Sequence, residues 1–185
     1  MKKAFTLVEV LVAIAAGLLL CGTLTAIFVS GWQIFHRETI SSDTQSQTKI
    51  ITASLTRDIQ TADKVVASRE FNGNVPYTSS FNCLILEMPS LNSSQNPIPN
   101  TYDYKVFYKD QTKLMSITEA KIGTSRKSGT RLINNALDSL SFTYFPTGEI
   151  VENTDRITIS VTISETAYGL PRQTTLTASA TLRNK

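Results

Sequence analysis

Apolar and polar positions divide this chain into three stretches with different periods. From Val10 to Phe35 there are 26 consecutive residues without a charge. A helix of about 20 residues spans the hydrocarbon core of a bilayer, so this run predicts a membrane-crossing helix. From His36 to Val66 there is no Pro or Gly, and Ile51, Leu55, Ile59, Ala62 and Val66 recur every three to four residues. That stripe predicts an amphipathic helix with one face packed on a body and the other in water. Taken as one helix, Phe5 to Val66 would be about 90 Å long at the usual rise per residue.

From Ala67 onward the period shortens to that of strands. Cys83–Met88 (CLILEM) reads as a buried strand, and Pro89–Asn100, with three prolines among Ser and Asn, reads as an irregular loop. YDYKVFYK and KLMSITEA, separated by a short polar turn around Asp110 and Gln111, predict a hairpin. Arg156–Ser164 and Gln173–Arg183 alternate Thr with aliphatics, the pattern of half-exposed strands. The fold class is therefore α+β: a long amino-terminal helix packed on an antiparallel β-sheet body.

Charge sharpens this division. Of the net charge of +3, Lys2 and Lys3 supply two, and past residue 4 there are 16 basic against 15 acidic residues. A body so close to neutral lacks the basic face of a broad nucleic-acid footprint. Lys121, Arg126, Lys127 and Arg131 form a local basic patch that reads as a solvated loop. Lysines before the apolar run and none just after it predict a cytoplasmic amino terminus and an exported body.

Two cysteines, one in the apolar run (Cys21) and one in the body (Cys83), would lie on opposite sides of a membrane boundary and do not predict a disulfide. The one histidine, His36, sits at the expected boundary, so no metal cluster is expected. Asp138, Glu149, Glu152, Asp155 and Glu165 are dispersed and lack the spacing of a calcium loop. No phosphate loop, nucleophile elbow or zincin motif is present, and the chain predicts no enzyme and no cofactor. Of the aromatics in one strand, Phe107 is expected in the core, whereas Tyr102, Tyr104 and Tyr108 share the other face. Packing on the long helix or a binding patch would account for that face.

Glu9 is the anomaly, the only charge from Phe5 to Phe35. An ionisable residue near the hydrocarbon costs about 2.5–3.5 kcal/mol on insertion scales, so it calls for a function and a partner. A cleaved secretory signal would need a shorter run and a small-x-small site. A lipoprotein signal fails because Leu18, Leu19 and Leu20 precede Cys21. A plain signal anchor explains length and orientation but not the glutamate.

A fourth reading does explain it. Ala4-Phe5-Thr6-Leu7-Val8-Glu9, behind a basic leader and at the head of an apolar run, resembles the processing motif of type IV prepilins and type II secretion pseudopilins. LTRDIQTADKV at Leu55–Val65 and RLINNALDSLSFTYF at Arg131–Phe145 look like the J-type minor pseudopilin and its minor-pilin counterpart. The resemblance implies cleavage between Ala4 and Phe5 by a prepilin peptidase and methylation of the new amino terminus at Phe5. Glu9 becomes the fifth mature residue, placed to pair with the terminal amine of a neighbouring subunit. Gly is usual before the cut, and this chain has Ala4 there.

The implied organisation is a leader (1–4), a transmembrane and assembly half of the helix (5–35), an amphipathic half (36–66) and an exported β-rich domain (67–185). The implied role is a minor subunit that helps initiate or cap a pilus or pseudopilus. Its partners would be other minor subunits, the major subunit, the peptidase and the bacterial cytoplasmic membrane, and after assembly it would sit at the filament tip. A filament-tip binding protein (an adhesin or a DNA-uptake subunit) and a plain signal-anchored exported domain remain the alternatives.

Overall fold

The computed structural model describes residues 6–71, 73, 76–147, 151–167 and 170–183. The chain divides into two compact units, Met1–Ser42 and Asp43–Lys185. Helix α1 runs from Leu7 to Thr61, 55 residues in one piece.

In the first unit every described residue from Thr6 to Phe35 is exposed except Gly17, which is half-exposed. A helix that is apolar all round needs an apolar solvent on every side. Two of the hydroxyls within it are satisfied locally: those of Thr23 and Thr25 donate to the carbonyls of Leu20 and Cys21 at 2.9 and 2.8 Å. Phe28, Trp32 and His36 follow one another along one side, with ring centroids 6.4 and 4.7 Å apart. Trp32 and His36 thus mark the end of the apolar run with amphipathic rings, as at a membrane interface.

In the second unit α1 buries Thr44, Thr48, Ile51, Thr52, Leu55 and Ile59, one face at helical spacing. The helix ends at Thr61, five residues before the expected Val66. The backbone N–H of Ala62 donates to Ile59 O, and Asp63 N–H then joins the strands by donating to Glu87 O. Ala62 is buried, but Val66 packs in a different cluster from Ile51, Leu55 and Ile59. Its place in the helical period is accidental, because the chain has already turned into a strand.

The strands follow as β1 (Lys64–Val65), β2 (Ser68–Arg69), β3 (Tyr77–Thr78), β4 (Cys83–Leu91), β5 (Pro97–Asp110), β6 (Lys113–Glu119), β7 (Gly129–Asn134), β8 (Leu137–Phe145), β9 (Arg156–Ala167) and β10 (Leu170–Thr181). They form an antiparallel five-stranded sheet of order β1-β4-β5-β6-β7, a three-stranded sheet of order β10-β9-β8, and a small β2-β3 pair. The class is α+β, with the carboxy-terminal part of α1 packed on antiparallel sheets.

One core cluster joins Ile51, Leu55 and Ile59 of α1 to Leu84, Leu86 and Phe107 of the larger sheet and to Ile157, Ile159, Val161 and Ile163 of β9. A second, on the opposite face of the larger sheet, contains Phe71, Cys83, Ile85, Val106 and Ile117. Alternation along β4 and β5 decides which side chain enters which cluster.

Two expectations are corrected here. Pro89–Asn100 is not an irregular loop, because β4 continues to Leu91 and β5 begins at Pro97. Only a tight turn separates them, in which Asn92 Oδ1 accepts from the N–H groups of Ser94 and Asn96 at 2.9 and 3.0 Å. The prolines are tolerated because Pro89 adjoins a bulge and β5 pairs with β6 only from Tyr104 onward, which leaves its start an edge. The tyrosine face does not pack on the helix either. Tyr104 and Tyr108 lie against the second cluster, while Phe107 and Lys105 point toward α1, where Lys105 Nζ meets Asp58 Oδ2 at 2.8 Å.

Candidate functional site: the head of the apolar helix

Ala4 and Phe5, the expected processing residues, lie outside the described residues. Glu9 lies inside them, and it closes a ring with Thr6. The backbone N–H of Thr6 donates to Glu9 Oε2 at 2.9 Å, and the Thr6 hydroxyl donates to the same oxygen at 3.0 Å. The N–H of Glu9 in turn donates to Thr6 Oγ1 at 3.3 Å. Thr6 is the residue before the first helical one and Glu9 stands three positions on, which is the capping box. The signal is Thr-x-x-Glu, legible in the sequence but hidden there by the strangeness of a carboxylate in an apolar run.

The cap accounts for one carboxylate oxygen. Among the described residues Glu9 Oε1 has no hydrogen-bond partner, and the side chain is exposed. A carboxylate offers about four lone-pair sites, so the cap leaves acceptor capacity unused among the described residues. Chemically the arrangement can hold one external cation or donor.

In the body a buried polar cluster centres on Asp103. Its Oδ1 accepts from the Ser90 hydroxyl at 2.7 Å and from Lys121 N–H at 2.9 Å. Its Oδ2 accepts from the Thr124 hydroxyl at 3.0 Å and from Arg126 Nη1 at 2.9 Å. Burial by itself would raise the pKa of this carboxyl, but the Lys121 N–H, the Arg126 guanidinium and the two hydroxyls together hold it below the usual carboxylate value. The cluster fastens the segment between β6 and β7 onto β4 and β5. Arg126, expected in a solvated basic patch, is instead a structural ligand of Asp103 and also donates to Pro89 O.

Two further groups in the body are structural as well. Cys83 is buried, and desolvation pushes its thiol up to about 11, so it is inert at neutral pH. The Tyr144 hydroxyl contacts the carbonyls of Ser80 and Cys83 at 3.0 and 2.8 Å, joining the two sheets. An open cavity of about 550 Å³ is lined by Phe145, Pro146, Thr147, Asp155, Arg156 and Thr181.

Comparison with protein-family models and with curated proteins finds no match to this chain. The helix head and the body geometry therefore carry the functional argument by themselves.

Proposed function

We propose that this chain is a minor pilin or pseudopilin, a structural subunit that helps initiate or cap a type IV pilus or type II secretion pseudopilus. A prepilin peptidase cleaves it between Ala4 and Phe5 and methylates Phe5. It is held in the bacterial cytoplasmic membrane by α1, with its amino terminus inside and its body exported, and then joins homologous subunits at a filament tip. Its role is assembly, not catalysis.

The observation that carries this reading is the half-used carboxylate of Glu9 at the head of a helix that is apolar on all sides. One oxygen caps the helix, and the other remains for the ammonium created at Phe5 of a neighbouring subunit. Two charges that are each expensive beside hydrocarbon become tolerable as a hydrogen-bonded pair. Cleavage before Phe5 leaves the Thr6 N–H and hydroxyl in place, so the cap survives maturation.

Glu9→Gln tests this directly. Glutamine can still close the capping box, but it carries no charge for the neighbour's ammonium. Expected are normal membrane insertion and helix content with loss of filaments or secretion, beside a wild-type amino-terminal peptide that begins at methylated Phe5 in mass spectrometry. Normal assembly by Glu9→Gln, or an intact Met1-Lys2-Lys3 leader in cells that process other prepilins, would overturn the reading in favour of a plain anchor.

A further inference from the structure

Four strands border the two larger sheets of the body, and three of them are blunted. β1 is two residues long. β7 has six residues, carries Arg131 and pairs with β6 through a break in register. β8 also pairs through a break in register, and its outer side is engaged where the Phe142 N–H donates to Phe81 O at 2.7 Å. Short length, charge, bulges and coverage are the devices that keep a sheet edge from pairing with another chain. The long middle of β10 has none of them. That strand has 12 residues, its register with β9 is unbroken from Leu170 to Thr181, and Gln173–Thr181 contains no charge.

The backbone phase of β10 is fixed by its carboxy-terminal end. In an antiparallel pair, residues alternate between those bonded to the neighbour and those turned away from it. The Leu182 N–H donates to Asp155 O at 3.0 Å, on the β9 side, so the even-numbered residues of β10 bond toward β9. The next residue, Arg183, donates the other way, to Ala62 O at 2.9 Å. The backbone N–H and C=O groups of Gln173, Thr175, Thr177, Ser179 and Thr181 therefore point out of the sheet edge. Among the described residues no hydrogen bond reaches them. Pro171, which has no N–H to offer, closes one end of this row, and the contact of Arg183 with Ala62 closes the other.

The row itself specifies its occupant. Donors and acceptors that alternate along one line, repeating about every 6.8 Å, are matched by the backbone of another extended strand. The side chains set the character of that strand. Even-numbered residues of β10 face the core, where Leu176 and Ala178 are only half-buried although Ala180 further along is buried. A neighbouring strand with aliphatic residues at alternate positions would cover them and extend the core. A second copy of this chain fits less well. Antiparallel self-pairing about Thr177 would set Ala178 against Leu176 and Ala180 against Thr174, side chains too small to cover Leu176. We propose that the Gln173–Thr181 edge takes up an extended, uncharged segment of a partner protein as an additional antiparallel strand, its aliphatic side chains alternating with polar ones. This inference stands on the body alone and not on the processing of the helix head.

The test uses the full chain in detergent and a fluorescent nonapeptide of alternating valine and threonine. The peptide is N-methylated at every second residue, which leaves it one hydrogen-bonding edge and keeps it from pairing with itself. A peptide methylated throughout has the same side chains and no free edge. Expected are saturable binding of the first peptide, none of the second, and no weakening in high salt. Bound peptide should slow amide hydrogen exchange at Thr175, Thr177 and Ser179, whereas Leu176 and Ala178, already bonded to β9, should not change. Thr177→Pro removes an outward N–H that the fold does not use, so the strand tolerates it as an edge proline. It should weaken binding by about tenfold, the worth of one backbone hydrogen bond. Its melting temperature reports whether the fold is kept, and the exchange measurement on the wild-type chain decides the matter where it is not. No binding to the wild-type chain overturns the proposal, as does equal binding of both peptides, unchanged exchange at Thr175, Thr177 and Ser179, or undiminished binding by folded Thr177→Pro. A dimer that Thr177→Pro dissociates and the peptide cannot displace would overturn it in favour of a second copy.

Discussion

Asp103 provides the sharpest test of the body's architecture. It is fully buried and accepts four hydrogen bonds from Ser90, Lys121, Thr124 and Arg126, groups drawn from two separate parts of the chain. Asp103→Ala removes the acceptor and leaves the guanidinium of Arg126, 22% exposed at its side chain, without its partner. Breaking a buried ion pair from one side costs about 3–5 kcal/mol. The partial access of Arg126 to water places the expected loss near the lower end, about 3 kcal/mol. Against a total stability of about 5–15 kcal/mol, that is a large fraction. Asp103→Asn keeps the shape and one acceptor but loses charge assistance, which roughly doubles hydrogen-bond strength, so about half the loss is expected.

The assay is thermal unfolding of the full chain in detergent, followed by near-ultraviolet circular dichroism, at several pH values. The folded-state pKa of Asp103 lies below its unfolded value of about 3.9. Its contribution is therefore fully present above the unfolded value and is lost as pH falls through the folded one. Asn cannot titrate, so the gap between wild type and Asp103→Asn should be widest near neutrality and should shrink in acid. A loss under about 1 kcal/mol for Asp103→Ala, the ordinary worth of a single neutral hydrogen bond, would refute the reasoning. A gap between wild type and Asn that stays constant with pH would refute the charge argument alone.

Other expectations concern the core and its reactive groups. Leu55→Ala, at 1% exposure on the buried face of α1, should cost about 2–5 kcal/mol in a denaturant melt, and a loss below that range would deny the helix its part in the core. Thr52 Oγ1 is buried without a partner, so the nearly isosteric Thr52→Val should raise stability by about 1 kcal/mol, and a clear loss would mean the hydroxyl is satisfied after all. Tyr144→Phe removes the contacts to the carbonyls of Ser80 and Cys83 and should cost about 1 kcal/mol, read as a lowered denaturation midpoint. Cys83 should resist iodoacetamide at pH 7.5 in the folded chain and react after unfolding, whereas prompt alkylation of folded protein would contradict its burial and its raised pKa.

What was legible in the sequence was what has a period. The helix could be read because Ile51, Leu55 and Ile59 repeat at its spacing, and the last hairpin because Ile157, Ile159, Val161 and Ile163 alternate with hydroxyls. Its strands prove to be Arg156–Ala167 and Leu170–Thr181, close to the expected limits. The helix end was misplaced because Ala62 and Val66 continue the period by chance after the backbone has turned. The loop around Pro89–Asn100 was misjudged because proline argues against a strand only where its missing N–H would be needed. Asp103 was not legible at all: its partners lie 13 to 23 residues away in sequence, and no local pattern encodes their meeting.

Under the proposed function, Glu9 combines a structural role with an assembly role in one side chain. A capping residue contributes about 1 kcal/mol to its helix, less than the roughly 2.5–3.5 kcal/mol that a carboxylate costs near the middle of a bilayer. If capping were its whole purpose, Ser, Asn or Asp at the head of the helix could satisfy the first N–H groups with a shorter side chain and less exposed charge. The surplus charge is rational only where something positive meets it. The chain's own lysines, Lys2 and Lys3, belong to the segment that cleavage would remove. The ammonium at Phe5 would exist only after that cleavage, and Glu9 would then be the sole acidic side chain within the apolar run to receive it. On the proposed reading, cap and pairing are successive uses of one carboxylate: Oε2 sets where the helix begins, and Oε1 would set which neighbour it can stand beside and at what axial stagger.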